Sequence, residues 1–485
     1  MNVKYVSRII AYTLIVSAVF MAMPLCIALY DGQPGNVLSY LFSMMISLIC
    51  GFVTLWFTRN HSTTMYAQEG FAATGLSWMI ISIFGALPFT LSGEIPSYID
   101  ALFEIVSGFT TTGSSILTDI EALSRCHLYW RSFSHWLGGM GMLVFLLAVI
   151  PQAKKNDGVG IYLMRAESPG PSVGKFTPHL RHTALILYSL YILLTILCII
   201  FLLVGGMPVF DSLCIAFGTA GTGGFGILND SMASYSPYLQ SVVTVFMFLF
   251  GINFNLYFLL LLGQFKAVFK NEELKAYLLI FGSSIILITL NIFKSVGSVG
   301  EALHHAAFQV SSIMTTTGFA TVDFELWPAF SKGILFMLMF VGACAGSTGG
   351  GLKVARILLL GKSIKRNTSN ALHPRRVSIV RMDGRIVDDQ IMSSTTAYLA
   401  IYCLLMLLSF MIISIDNYSL GTNISAVVAC FNNIGPGFEM VGATGNFSHF
   451  SNLSKLVLTA DMLLGRLEIF PLLTLITPDL WSRKR

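Results

Sequence analysis

Ten stretches of about twenty mostly apolar residues set the terms for this chain. They lie near 9–30, 37–58, 70–92, 130–150, 184–204, 238–264, 275–294, 330–362, 395–415 and 455–477. A helix of about 20 residues spans the hydrocarbon layer of a bilayer. Backbone in that layer must satisfy its own hydrogen bonds, so such stretches fold as helices. Composition agrees: of 485 residues, 55% are hydrophobic and 11% charged, with mean hydropathy +0.74. A soluble domain carries about 25% charged residues. The first stretch, after Lys4 and Arg8, is too long for a signal peptide and lacks a small-x-small cleavage site, so it is a first span. The eight cysteines, at 26, 50, 126, 198, 214, 344, 403 and 430, form no Cys-x-x-Cys pair and mostly sit in apolar runs. They are small buried hydrophobes.

Loop charge gives the orientation. Segment 151–183 carries Lys154, Lys155, Arg165, Lys175 and Arg181, segment 353–392 carries nine Lys or Arg, and the tail ends Arg483-Lys484-Arg485. Segments 205–236 and 416–454 carry none. The positive-inside rule then puts both termini in the cytoplasm.

A fourfold repeat is superimposed on the spans. Thr110-Thr111-Thr112-Gly113 recurs as Thr315-Thr316-Thr317-Gly318, and more loosely as Gly221-Thr222-Gly223-Gly224 and Asn432-Asn433-Ile434-Gly435. The terminal glycines are 111, 94 and 117 residues apart, and the second copy is ambiguous by one residue because Gly223 and Gly224 adjoin. Each copy follows a short apolar segment and falls on the outer side of the topology above. Ten to fifteen residues make three or four helical turns, too few to cross. The expectation is therefore an all-α polytopic membrane protein of about ten transmembrane helices, with four re-entrant pore loops in four membrane–pore-loop–membrane units. Residues 1–60 form an N-terminal hairpin. The units are 61–183 (loop 100–115), 184–270 (loop 211–226), 271–392 (loop 301–320, with a broken helix and a basic cytoplasmic loop) and 393–485 (loop 423–438). Asp100 and Asp211 are placed to cap the first two short helices.

Four such turns converging on one axis suit a cation. Dehydrating an ion costs of order 20 kcal/mol in an idealised apolar medium, and a pore offsets this with ring oxygens. Glycine lets successive carbonyls face one way, threonine hydroxyls add uncharged oxygens, and helix C-termini favour positive charge. Glu104, Asp119, Glu121, Glu301, Asp323, Glu325 and Glu439 are outer-side acids that either attract cations or are ordinary solvated loop charges.

The chain resembles the membrane subunit of Trk-type potassium uptake systems, in the superfamily that includes the Ktr and plant HKT transporters. The features that carry the resemblance are the turn at 110–113, Arg165-Ala166-Glu167-Ser168-Pro169-Gly170-Pro171, Gly346-Ser347-Thr348-Gly349-Gly350-Gly351, His373-Pro374-Arg375, Asn432 to Gly437 and Gly465-Arg466-Leu467-Glu468-Ile469-Phe470. The resemblance implies a bacterial inner-membrane protein that takes up potassium as its transported ligand. It implies a homodimer with one pore per protomer and a separate cytosolic nucleotide-binding ring (TrkA-like). No organic cofactor and no nucleic acid is expected, membrane lipid is the surrounding partner, and enzymatic activity is not expected. Sodium- or proton-coupled symport is the alternative mechanism.

Two further features suggest a gate. Gly342 to Gly351 interrupts a stretch too long for one straight helix. It is either a close-packing surface of small residues or a mobile loop beneath the filter, the role the resemblance implies. It is not a phosphate loop, because Leu352 separates Gly351 from Lys353. Arg466, mid-span, either pairs with an acid on a neighbouring helix or projects below the filter as a barrier to cations. The basic loop 353–385 is a candidate docking site for a cytosolic partner.

Overall fold

The computed structural model describes residues 2–59, 66–141, 180–373, 375 and 378–478. Lys154, Lys155, Arg165, Lys175, the motif 165–171, Pro374, Arg376 and the tail 483–485 lie outside the described residues.

The described residues are mostly helical. Among the described residues, six helical segments are long and apolar enough to cross a membrane: Val3–Tyr30, Pro34–Phe57, Gln68–Ser92, Ala184–Val204, Glu272–Val296 and Asp389–Asp416. A seventh, Pro237–Phe250 with Phe254–Leu261, is bent by 88°. Among the described residues, length and composition thus account for up to seven of the ten expected spans. The remaining stretches are interrupted. The one at 330–362 is divided into Ala329–Val341, a loop, and the polar-faced Val354–Leu372, and the one at 455–477 into Asn452–Arg466 and Phe470–Ile476. Of the stretch at 130–150, the helix Arg125–Gly139 is capped by Met140, and residues 142–150 lie outside the described residues. A glycine lies at or beside each break: Gly139, Gly251, Gly342 and Gly465. The basic segment after Leu372 also holds a two-residue hairpin, Arg381–Met382 with Arg385–Ile386. It turns on Asp383 and Gly384, both at positive φ.

Apolar side chains point outward as well as inward. Phe52, Trp56 and Phe57 of Pro34–Phe57, and Leu404, Leu407, Leu408 and Met411 of Asp389–Ile413, are exposed. In water such faces would be unstable; against lipid they are at home. The hairpin packs through small residues. Ser39, Ser43, Ser47 and Gly51, one every turn, are buried or nearly so on one face of Pro34–Phe57. Their hydroxyls bond back along the helix, Ser43 to the Ser39 carbonyl at 2.7 Å and Ser47 to that of Ser43 at 2.8 Å. A Cβ on Gly51 would lie 2.7 Å from Ile15 Cγ1, so this helix approaches Val3–Phe20 too closely for a larger residue.

Four short helices occupy the centre: Tyr98–Phe109, Val209–Gly221, Val299–Met314 and Leu420–Phe431. Each begins two or three residues before the expected position. The caps are correspondingly different. Ser97 accepts from the Asp100 amide and Ser419 from that of Thr422, while Pro208 precedes the second helix and Ser298 the third. Asp100 and Asp211 instead sit in the first turn, where a negative charge still complements the helix dipole. Asp100 also pairs with Lys455 at 2.6 Å.

Candidate functional site: a closed ring of four turns

All four short helices end in the same way. One residue past the second helix, and two past each of the others, the backbone is left-handed: Thr111 (φ 54°), Thr222 (53°), Thr316 (59°) and Asn433 (55°). The next amide reaches back five residues, Thr112 to Ser107 (2.9 Å), Gly223 to Gly218 (2.8 Å), Thr317 to Ser312 (2.8 Å) and Ile434 to Ala429 (2.9 Å). The left-handed residue's own amide bonds three back, at 3.1 to 3.2 Å in every copy. This is a Schellman cap, whose left-handed position is normally glycine. A β-branched residue there costs roughly 1–3 kcal/mol. Three threonines bear that cost at equivalent places, and the fourth place holds asparagine, which tolerates the left-handed region better.

Two residues further on, Gly113, Gly224, Gly318 and Gly435 also have positive φ, from 75° to 102°. The common two-residue offset resolves the register of the second turn: Gly224, and not Gly223, is the counterpart of Gly113. The reason for glycine is contact with the next turn. A Cβ on Gly113 would lie 2.1 Å from the Gly223 carbonyl oxygen, on Gly224 1.9 Å from that of Thr317, on Gly318 2.2 Å from that of Ile434, and on Gly435 2.9 Å from that of Thr112. The sequence of contacts runs first to second to third to fourth and back to the first. The turns thus close a ring, with four helix C-termini directed at it and the carbonyls of Thr112, Gly223, Thr317 and Ile434 at equivalent positions.

The side chains do less than expected of them as free oxygens. Thr110 Oγ1 donates to the Val106 carbonyl at 2.6 Å and lies 2.8 Å from Thr112 Oγ1. Thr315 repeats both contacts with Ser311 and Thr317, at 2.6 and 2.8 Å. These hydroxyls brace the turns. In the fourth copy Asn432 Nδ2 makes the same backward bond to Val428 at 3.0 Å, and Tyr402 holds its Oδ1 at 2.8 Å. Asn433 Nδ2 crosses to Thr112 Oγ1 at 2.9 Å and to the Met462 carbonyl at 2.8 Å. The glycine-rich second copy follows from His135. A Cβ on Gly221 would meet the His135 carbonyl oxygen at 2.2 Å, and one on Gly223 would meet the ring at 2.1 Å. His135 Nε2 accepts from the Phe225 amide (3.2 Å), so Nδ1 carries the proton and donates to the Gly108 carbonyl (2.8 Å).

Glu104, grouped by sequence with the outer acids, is fully buried and is not a solvated loop charge. Arg131 Nε donates to it at 2.7 Å, and it accepts from Ser115 and from the Ile116 amide at 2.9 and 3.0 Å. Arg131 also covers the Phe225 ring at 4.0 Å. This ion pair fixes the chain just beyond Gly113 against the second turn.

The interrupted stretch 342–353 lies directly against the ring. A Cβ on Gly349 would be 3.0 Å from the Thr315 carbonyl oxygen, and one on Gly350 2.7 Å from that of Asn432. The Gly350 amide donates to Thr316 Oγ1 at 2.6 Å. Ser347, Thr348, Gly349 and Gly350 are buried, while Gly346 and Gly351 are half-buried. Thr348 Oγ1 bonds the Phe250 carbonyl at 3.2 Å, and Gly346 accepts from the Phe254 amide at 3.0 Å. The loop therefore fills the bend in the seventh apolar segment. Arg466 joins the same assembly. It donates to Thr111 Oγ1 (3.0 Å) and to the carbonyls of Thr348 (2.9 Å), Gly138 (2.5 Å) and Gly139 (2.8 Å), none of them a carboxylate. Glu468 is occupied elsewhere, in a two-pronged pair with Arg356 at 2.9 and 2.6 Å.

Gly138 and Gly465 were not singled out by sequence as ring contacts. A Cβ on either would come within 1.9 Å of a backbone oxygen, Phe109 or Phe431, the last residue of a short helix. Their signal is a glycine near the middle of the apolar stretch that follows each turn. Among the described residues no group of three His, Cys, Asp or Glu side chains is placed to hold a metal ion. The oxygens on offer are carbonyls and hydroxyls.

Comparison with known proteins agrees with this architecture. Residues 39–483 match the family model for TrkH, described as a cation transport protein. The Trk system potassium uptake protein TrkH of Salmonella typhimurium is 35% identical, covering 99% of this chain and all of that one. The Trk system potassium uptake protein TrkG of Escherichia coli is 32% identical over 99% of each. The crystal structure of the potassium transporter TrkH from Vibrio parahaemolyticus superposes with a TM-score of 0.88 at 31% identity, covering 99% of this chain and all of that one. This all-helical membrane chain belongs to the TrkH family of cation transport proteins.

Proposed function

We propose that the chain is the membrane subunit of a Trk-type potassium uptake system of the bacterial inner membrane, and that the ring of turns is its ion filter. The closed sequence of glycine-to-carbonyl contacts is the observation that carries this reading. Four equivalent carbonyls at the ends of four inward-directed helices are the ligand type and the dipole sense that suit a desolvated monovalent cation. Thr110–Gly113, Gly221–Gly224, Thr315–Gly318 and Asn432–Gly435 then form the filter. The loop Gly346–Gly351 and Arg466 close it on the inner side. In this reading the bent and interrupted stretches complete ten passages with four re-entrant turns, and both termini are cytoplasmic. Two protomers associate, and the basic segment after Lys353 receives a separate cytosolic nucleotide-binding ring. The relatives are named as proteins of a Trk system, which supports a multi-component assembly.

The purified protein in liposomes should move potassium down its own gradient, with a rate indifferent to imposed sodium or proton gradients. Obligatory dependence on either gradient would replace the pore with a coupled symporter. Arg466→Ala should raise downhill flux several-fold, because it releases Thr348 of the loop from Thr111 of the filter. A variant that runs as wild type on gel filtration but shows equal or lower flux would remove Arg466 from the gate.

A further inference from the structure

Lys353 is only 1% exposed and lies at the inner edge of the ring. Its ammonium donates to the carbonyl of Gly349 and, at 3.0 Å, to that of Gly350. With Arg466 on the Thr348 carbonyl at 2.9 Å, three consecutive backbone oxygens of the loop are each satisfied by a cationic side chain. Gly349 and Gly350 are also the residues that abut the carbonyls of Thr315 and Asn432, the C-cap residues of the third and fourth short helices. Consecutive carbonyls beside the end of a helix are what a dehydrated monovalent cation would itself require.

Resting on the pore reading above, we propose that Lys353 is a tethered cation. Its ammonium occupies a monovalent-cation position, built from the Gly349 and Gly350 carbonyls, that a permeating ion takes over when the ammonium withdraws. The ammonium is a compact point charge on a flexible stem, suited to exchange with an ion where a planar guanidinium is suited to a fixed brace. The loop does not depend on Lys353 for its position. Glu273 Oε1 accepts from the amides of Ala345 at 2.6 Å and Ala355 at 3.2 Å, tying both ends of the loop to Glu272–Val296. Cys344 adds a bond to the Gly251 carbonyl at 3.1 Å, and Val354 one to Ala343 at 3.2 Å. Gly342, Gly346 and Gly351, all at positive φ near 70°, let the loop fold back without side-chain strain. Lys353 is thus a positioning residue whose charge, more than its packing, governs passage.

The test is downhill rubidium flux of the full-length protein alone in liposomes, compared among wild type, Lys353→Met, Lys353→Arg and Lys353→Gln. Lys353→Met keeps the length of the side chain and removes the charge; it should raise flux roughly tenfold, the equivalent of about 1.4 kcal/mol of released block. Lys353→Arg keeps the charge on a group suited to a fixed brace and should give flux at or below wild type, so that a rise follows only from loss of the charge. If methionine prevents folding, Lys353→Gln decides, since it can still donate to the same carbonyls without a charge. Raised flux in Gln supports the tethered cation, and wild-type flux in a folded neutral variant overturns it. A wild type that moves no rubidium, with neutral variants equally silent, would overturn the pore reading and this proposal together. A conducting wild type with unchanged neutral variants overturns the tethered cation alone.

Discussion

Gly113→Ser should reduce the preference for potassium over sodium about tenfold or more, with a smaller effect on the amount of folded protein. Gly113 has φ +82°, and its absent Cβ faces the Gly223 carbonyl oxygen across 2.1 Å. Serine brings two costs. The left-handed backbone disfavours an L side chain by roughly 1–2 kcal/mol. The overlap is with a backbone oxygen, which cannot rotate away as a side chain would, so one of the two turns must shift. If Gly223 moves, the carbonyl at one quarter of the ring leaves its three equivalents. A loss of about 1.4 kcal/mol in ion binding there is already a factor of ten in occupancy, and it falls most heavily on the ion the ring fits best. Gly224→Ala, whose Cβ would approach the Thr317 oxygen to 1.9 Å, should behave alike. Gly93→Ala, with φ +80° but no atom within 4 Å, shares only the torsional cost and should leave selectivity intact. Competitive rubidium and sodium tracer flux measures the ratio. A folded Gly113→Ser protein with the wild-type ratio would show that this ring is not the filter.

The glycine spacing and the Thr-Thr-Thr-Gly repeats mark the four turns because both come from local backbone demands: a left-handed cap and a second positive φ. Local demands leave local traces. Where the copies depart from one another, the cause lies far away in the chain and the sequence is silent about it. The second turn is glycine-rich because His135, 88 residues before Gly223, takes the space its side chains would need. The fourth carries asparagine because amide groups serve both the backward bond of Asn432 and the crossing from Asn433 to Thr112, which a threonine hydroxyl is too short to duplicate. The threonines themselves suggest coordinating hydroxyls, yet Thr110 and Thr315 spend theirs within the helix end, as Ser and Thr side chains commonly do. Arg466 looks from sequence like a charge in need of an acid, and among the described residues it donates to four uncharged oxygens brought from three segments. A bend inside a span was the least legible feature. A twenty-residue apolar window cannot tell a straight helix from one broken at Gly251, since both halves, Pro237–Phe250 and Phe254–Leu261, remain apolar.

Glu104 shows the same limit, and it yields the second large expected effect. Arg131→Met should destabilise the folded protein by about 3–5 kcal/mol, the range for leaving one partner of a buried ion pair uncompensated. Both side chains are essentially inaccessible, 1% for Arg131 and 0% for Glu104, so neither water nor salt can replace the lost partner. Glu104 would keep its bonds from Ser115 and Ile116 but face an apolar surround as an anion. Relief by protonation would weaken those same bonds, since they are strongest to the charged form. The chain beyond Gly113 and the Phe225 ring of the second turn would both lose an anchor, so potassium uptake should fall along with stability. Glu104→Gln should be milder, because an amide oxygen can still accept from Arg131 and from the Ile116 amide. Arg131→Met combined with Glu104→Leu should recover much of the loss, because a pair of apolar residues carries no desolvation penalty. Thermal midpoints in detergent across this cycle separate the ion pair from simple packing. Additive losses in the double variant would mean that the two residues act independently, and that the pair does not hold the first turn to the second.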